Sequence, residues 1–72
     1  MKIEYDPKHD LMNIEFLSDV EIEESLEVRG VVIDYAKDGR IVAIEILDAS
    51  QNTQRDPLHQ FNVSVIREAV AA

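Results

Sequence analysis

The sequence predicts a small, mainly β (α+β) fold: an antiparallel β-meander of four to five strands, with one short helix after the fourth strand. Apolar and polar residues alternate through much of the first two-thirds of the chain, as they do in strands with one buried face. An Asp-Gly pair at residues 38–39 separates two alternating β-branched runs, which is among the strongest local hairpin signals. The alternation stops at about residue 48, where a short helix or turn is expected.

The first predicted hairpin occupies the start of the chain. Ile3 and Tyr5 alternate with charged residues, as in a half-buried strand. Residues 6–10 (DPKHD) read as a turn, because Pro fixes φ and Asp can accept hydrogen bonds from its own backbone. The returning strand carries one apolar face, formed by Met12, Ile14 and Phe16.

Residues 18–28 give a weaker strand pattern. Ile22, Leu26 and Val28 share one period-two face, but Glu24 falls on that face too. A bulge, or an irregular crossing before a short strand, would carry Glu24 out to water. Gly30 follows and permits a backbone conformation that other residues resist.

The second predicted hairpin, VVIDYAKDGRIVAIEIL, is the clearest unit of the sequence. On its returning strand, Val42, Ile44 and Ile46 form one apolar face. The opposite face of that strand is also apolar, since it carries Ile41, Ala43 and Leu47. We therefore predict that this strand is central in the sheet and covered on both sides.

A single domain is expected, with the β-meander core at residues 1–50. Residues 51–72 form a polar connection and a C-terminal extension that packs on the same domain. In that extension, Phe61, Val63 and Val65 predict a short strand around residues 61–66, followed by a helical tail from Ile66. A helix through Leu58, Phe61 and Val65 is the alternative.

Composition and charge exclude several classes of function. The 72 residues carry 7 Lys and Arg against 15 Asp and Glu, a formal charge of −8. Direct nucleic-acid binding and attachment to anionic membranes are not expected, because both need clustered cations. No cysteine is present, so disulfides and thiolate chemistry are excluded. The chain is expected in the cytoplasm, with a basic protein as partner. A second copy is a further candidate partner, since one small core gives modest stability.

Two stretches, MKIEYDP near the start and VVIDYAKDGRIVAIEILDAS in the middle, resemble a small prokaryotic family known as domain of unknown function 2283. The resemblance covers about residues 1–50. It implies a compact intracellular β-meander with a short helix and no established activity. Such proteins are often encoded beside small toxin-like proteins of the RelE type, which implies an antitoxin-like role. Ala36 and Asn13 depart from the family, which usually has an acidic residue and an aromatic residue there.

Two groups of residues are candidates for a divalent metal. Asp34, Asp38, Gly39 and Glu45 match the spacing of a calcium-binding loop, although Ala36 replaces one oxygen ligand and the flanks are strands. The Asp-Gly hairpin explains the same residues without a metal.

The second group is Asp6, His9 and Asp10, which could hold a divalent cation but are also ordinary residues for a solvated turn. His59 has no partner in the sequence and is expected in a loop. We predict no bound metal and no cofactor.

Acidic residues are concentrated at residues 19–27. Paired carboxylates for acid–base catalysis would need one carboxyl in an apolar pocket, whereas so dense a run is typical of a solvated face. No motif for nucleophilic, phosphate-binding or zinc-dependent catalysis is present, so an enzyme is not expected. The segment could instead attract a basic partner and anchor it by small apolar side chains; its acidic residues are Asp19, Glu21, Glu23, Glu24 and Glu27.

These observations predict a protein-interaction module, antitoxin-like in the sense that it binds a basic partner of the RelE type. The alternative is a small-ligand or divalent-metal-binding domain that uses the Asp34–Glu45 or Asp6–Asp10 groups. Titration with divalent cations distinguishes these two functions.

Overall fold

Five antiparallel strands and one short helix make up the part of the chain that the structure describes, as predicted. The computed structural model describes residues 1–53 and 63–66. The helix follows the strand formed by residues 41–46. This strand is the fourth of the clearly predicted ones, since the weak segment at residues 18–28 was the uncertain fifth. The elements are β1 (Lys2–Asp6), β2 (Leu11–Glu15), β3 (Glu24–Val28), β4 (Val31–Tyr35), β5 (Ile41–Ile46) and α1 (Ala49–Asn52).

The strands lie in the order β1-β2-β5-β4-β3, so they do not follow one another as in a simple meander. β3, β4 and β5 are joined by hairpins, and β2 lies beside β5 instead of β3. This is a Greek-key arrangement, in which residues 16–23 cross from β2 to the far edge of the sheet. β5 is the central strand, as predicted, but its second face is not wholly apolar, because Glu45 lies there beside Ala43.

The hairpin turns use residues that tolerate a left-handed backbone. Arg29 and Gly30 have φ of 51° and 78°, which gives β3 and β4 a two-residue connection of type I′. Gly39, with φ of 89°, closes the Asp-Gly hairpin and donates a backbone hydrogen bond to Ala36 O at 3.0 Å. In the first hairpin, the Asp6 carboxylate accepts a 3.0 Å hydrogen bond from the Lys8 N–H.

The strand register divides the side chains between two faces. Directly opposed residues of neighbouring strands point to the same side of a sheet, so rows of partners define each face. One face, called the apolar face below, consists of Ile3, Tyr5, Met12, Ile14, Leu26, Val28, Val31, Ile33, Ile44 and Ile46. The other, called the acidic face, carries every charged strand residue except Glu24.

The crossing segment packs on the acidic side of the sheet. Leu17 and Val20 contact a small buried cluster of Ala36, Val42 and Ala43. Residues 18–23 therefore form an irregular crossing and not a strand. This was one of the two predicted explanations of their weak pattern; the other was a bulge. Glu24 remains on the side of Leu26, yet it is exposed because it begins the edge strand β3.

Helix α1 lies at the end of the sheet near the first turn. The Ala49 N–H donates to Asp10 O at 2.9 Å, and the Ala49 side chain is fully buried. The side-chain amide of Asn52 donates to Leu47 O at 2.8 Å. No helix in the described part of the chain is long and apolar enough to cross a membrane.

The C-terminal prediction is wrong where the structure tests it. Residues 63–66 form no strand, and Val63, Val65 and Ile66 are 62%, 76% and 93% exposed. Alternation alone does not make a strand there, because none of the five described strands pairs with these residues. The rest of the predicted strand and the helical tail lie outside the described residues, and the packing of residues 51–72 on the core stays a prediction.

Candidate functional site

An open groove of about 580 Å³ runs along the acidic face, between the sheet and the crossing segment. Strands β1, β2, β4 and β5 form its floor, and the crossing segment forms one wall. Six carboxylate side chains line it: Glu4, Asp6, Glu15, Asp19, Asp34 and Glu45. The groove therefore concentrates negative charge in a concave surface, where low-dielectric walls strengthen the local field.

Apolar side chains separate the carboxylates of this acidic groove. Leu17, Val20 and Ile22 enter it from the crossing segment, and Leu11 and Val42 enter it from the sheet. Lysine and arginine side chains combine an apolar stem with a charged head, so such a mixed lining matches them. The groove thus offers carboxylates and apolar side chains side by side.

Asp34 and Glu45 form a carboxyl pair in the floor of the groove. Asp34 is 4% exposed and accepts a 2.6 Å hydrogen bond from Ser25 Oγ. Burial, followed by the adjoining Asp34 carboxylate, raises the pKa of Glu45 above its ordinary value. Glu45 therefore resists ionisation, because its charge would be both partly desolvated and close to a like charge.

Replacing Glu45 by Gln is expected to raise the melting temperature at neutral pH. A raised folded-state pKa means that the protonated form is favoured in the folded protein, so stability falls as pH rises above the ordinary value of 4.5. Gln mimics the protonated acid and removes this penalty. Melting curves of both proteins should converge below about pH 4. A variant that melts below the natural protein at pH 7 would contradict the assignment.

The four residues of the calcium-loop spacing do not form one site. Asp34 and Glu45 lie side by side on adjacent strands, whereas Asp38 lies in the hairpin turn. There Asp38 Oδ2 lies 2.7 Å from Arg40 Nε, and its Oδ1 accepts the Arg40 backbone N–H at 3.1 Å. These two hydrogen bonds, the backbone one first, lower the pKa of Asp38. Gly39 serves the turn, as the hairpin explanation requires.

The residues of the second candidate group also have separate partners. Asp6 Oδ2 lies 2.6 Å from His9 Nδ1, and this hydrogen bond is the main reason that the pKa of Asp6 is lowered. Asp10 instead accepts hydrogen bonds from Tyr5 Oη at 2.6 Å and from the backbone N–H and Oγ of Ser50 at 3.0 and 2.7 Å. Asp10 thus ties the first hairpin to α1 and is a structural residue.

Within residues 1–53 and 63–66, no group of three or more His, Asp or Glu side chains is arranged to hold a metal ion. His59 lies outside the described residues.

The predicted acidic segment, residues 19–27, lies along the crossing segment and the edge strand β3. Its Glu21, Glu23, Glu24 and Glu27 side chains are exposed, and only Asp19 reaches the groove.

Sequence reasoning missed the carboxylates that strands contribute to the groove. Glu4 and Glu15 lie at polar positions of the first hairpin, where alternation alone predicts only a solvated side. The signal that could have found them is that each of four predicted strands carries an acidic residue at a polar position: Glu4, Glu15, Asp34 and Glu45. Only the pairing of β2 with β5 brings them onto one surface.

A family model described as "Protein of unknown function (DUF2283)" matches residues 2–50, which include all five strands. The chain belongs to the DUF2283 family. No curated protein and no solved structure matches it. The DUF2283 match covers the whole sheet and ends within α1, so the groove belongs to the family part of the chain.

Asn13 and Ala36 both lie near the groove. Asn13 is in its floor, between Glu4 of β1 and Glu45 of β5. Ala36 is 6% exposed and packs in the cluster beneath Leu17 and Val20. A small residue at position 36 allows the crossing segment to approach the sheet closely.

Proposed function

We propose that this protein is a non-catalytic interaction module that binds a basic protein in the acidic groove. The observation that carries the proposal is the convergence of six carboxylates with apolar side chains in one open concave surface. Arginine and lysine side chains of a partner would meet carboxylates at their heads and Leu17, Val20 and Ile22 along their stems.

The charge of the whole chain supports the same type of partner. At −8, the protein attracts basic proteins at long range and repels nucleic acids and anionic membranes. The acidic segment beside the groove extends the negative surface to the sheet edge, through Glu21, Glu23 and Glu27. Such exposed charges act mainly on the association rate, whereas desolvated contacts inside a groove act on dissociation.

A small basic toxin-like protein of the RelE type is the first partner to test, because the resemblance stated above links the DUF2283 family with neighbours of this kind. The role would then be antitoxin-like: the module covers the basic surface that the toxin uses on its own target. We place this function in the cytoplasm of a prokaryote. Identifying the protein encoded next door and testing whether the two co-purify is the direct experiment.

The groove is tested by a matched pair of substitutions, Asp19→Asn and Asp48→Asn. Both aspartates are exposed, and both have a left-handed backbone conformation, with φ of 57° and 48°. Asn tolerates this conformation as well as Asp does. Only Asp19 lines the groove. We expect Asp19→Asn to weaken binding of the neighbouring protein about three- to tenfold, as for one charge-assisted contact, and Asp48→Asn to leave it nearly unchanged. Surface plasmon resonance at several salt concentrations measures both.

A second comparison separates the groove from the acidic segment. The double change of Glu23 and Glu24 to Gln is expected to slow association several-fold and to flatten its salt dependence, with little change in dissociation. If Asp19→Asn and Asp48→Asn weakened binding of the partner equally, the net charge of the protein and not the groove would account for binding. Saturable calcium binding that is lost in Asp38→Asn would instead favour a metal-binding domain.

A further inference from the structure

The apolar face of the sheet is the second large surface of this molecule, and it differs in character from the acidic face. Two complete rows of cross-strand partners run over all five strands: Ile3, Ile14, Ile44, Ile33, Leu26 and Tyr5, Met12, Ile46, Val31, Val28. None of these ten residues is charged. Within the five strands, Glu24 is the single charged residue on this side, and it lies at the outer corner.

This face is incompletely buried in one copy of the chain. Met12 is the single member of the two rows that is buried, whereas Leu26 and Val28 are 50% and 69% exposed. Among the described residues, the crossing segment packs on the opposite face, and Val63, Val65 and Ile66 are themselves exposed. An antiparallel sheet commonly packs its apolar face and exposes its charged face, yet the buried cluster of the described residues (Ala36, Val42 and Ala43) lies on the acidic side.

Charge restricts the surface on which two copies of this chain can meet. A protein of charge −8 repels its own copies wherever its acidic surface faces them. The apolar face is the side of the sheet on which two copies can meet without opposing carboxylates. In a face-to-face pair the acidic faces would point outward, about 20 Å apart given the roughly 10 Å spacing of packed sheets. That separation exceeds the screening length of roughly 8 Å at physiological salt.

We infer that the apolar face binds a second copy of this chain, giving a two-fold symmetric dimer of stacked sheets. Five strands spaced about 4.8 Å apart, each about 17 Å long, give a footprint of roughly 400 Å² per copy. This is half of the about 800 Å² per partner of a standard interface, so the dimer belongs to the class of weak, reversible assemblies. Both acidic grooves remain open on the outside, and the dimer therefore presents two binding sites for basic partners.

The oligomeric state of the full chain tests this inference, with Leu26→Gln and Glu27→Gln as a matched pair. The two residues are adjacent and exposed on the edge strand, but Leu26 lies on the apolar face and Glu27 on the acidic face. Sedimentation equilibrium from about 1 to 500 µM is expected to show a dimer. Leu26→Gln should raise its dissociation constant about tenfold, because a symmetric interface loses each contact twice. Glu27→Gln should leave the constant unchanged or lower it.

Cross-linking tests the same interface without reducing the apolar surface at the edge. The chain has no cysteine, so Ile44→Cys and Glu45→Cys each supply a single thiol on opposite faces of the central strand. A short bis-maleimide is expected to link Ile44→Cys dimers and not Glu45→Cys dimers, with circular dichroism confirming that both variants are folded. A monomer over the whole concentration range would overturn the inference. A monomeric Ile44→Cys variant whose thiol is protected by the C-terminal residues of the same chain would overturn it too. Equal cross-linking of the two variants would also overturn it.

Discussion

Replacing Ile44 by Ala is expected to lower the free energy of unfolding by roughly 2–5 kcal/mol, which is the range for large-to-small changes in a core. Ile44 lies on the central strand, directly opposite Ile14 of β2 and Ile33 of β4. Its side chain is half-buried, so we expect a value at the lower end of that range. Small domains have only a few kcal/mol to lose, and a large fraction of the variant should be unfolded at 37 °C. Urea denaturation followed by circular dichroism measures the change.

The matched control for this substitution is Ile41→Ala on the same strand. Ile41 begins β5 and is 40% exposed, so less apolar surface returns to water when it is truncated. We expect a loss below about 1 kcal/mol there. Both measurements need one fixed protein concentration, since association with a second copy would raise the apparent stability. Equal losses at the two positions would show that β5 is not the centre of a packed sheet.

Replacing Asp10 by Ala is expected to lower the melting temperature by several degrees. The Asp10 carboxylate accepts three hydrogen bonds, one from Tyr5 and two from Ser50, and these join the first hairpin to α1. Its backbone is also left-handed, with φ of 51°, a conformation that Ala adopts less readily than Asp. Loss of the side chain removes all three hydrogen bonds and adds backbone strain. Differential scanning calorimetry measures the shift.

Asp48→Ala separates the two causes. Asp48 has nearly the same backbone conformation, with φ of 48°, but makes no side-chain capping hydrogen bond to α1. Its substitution therefore adds the strain alone, and the extra shift in Asp10→Ala reports the hydrogen bonds. If the two variants melt together, the contacts of Asp10 do not hold α1 to the hairpin.

The pH dependence of Asp10→Ala gives an independent check. Hydrogen bonds from Tyr5 first, and then from Ser50, lower the pKa of Asp10 below its ordinary value of 3.8. A lowered folded-state pKa contributes stability that is fully present above the ordinary value and is lost as pH falls through the folded value. The difference between the natural protein and Asp10→Ala should therefore be constant near pH 7 and shrink below about pH 4.

The candidate site could be predicted from the sequence only in part. The run at residues 19–27 indicated an acidic surface, and its glutamates are exposed as expected. The groove itself was not predictable, because Glu15 and Glu45 are 30 positions apart in the sequence. Spacing patterns also brought together residues that the fold separates. Asp38 and Asp10 each have local or structural partners, which a pattern of carboxylates cannot reveal.

The sequence by itself determined most of the strands and two of the three hairpins, because alternation and turn chemistry are local properties. The first hairpin, the Asp-Gly hairpin and the centrality of β5 follow from neighbouring residues, whereas the type I′ turn at Arg29 and Gly30 was not predicted. Tertiary structure alone decided that β2 pairs with β5 and that the crossing segment lies on the acidic side. These choices bury Leu17 and Val20 against small residues and gather distant carboxylates, and such long-range packing leaves no periodic trace in the chain.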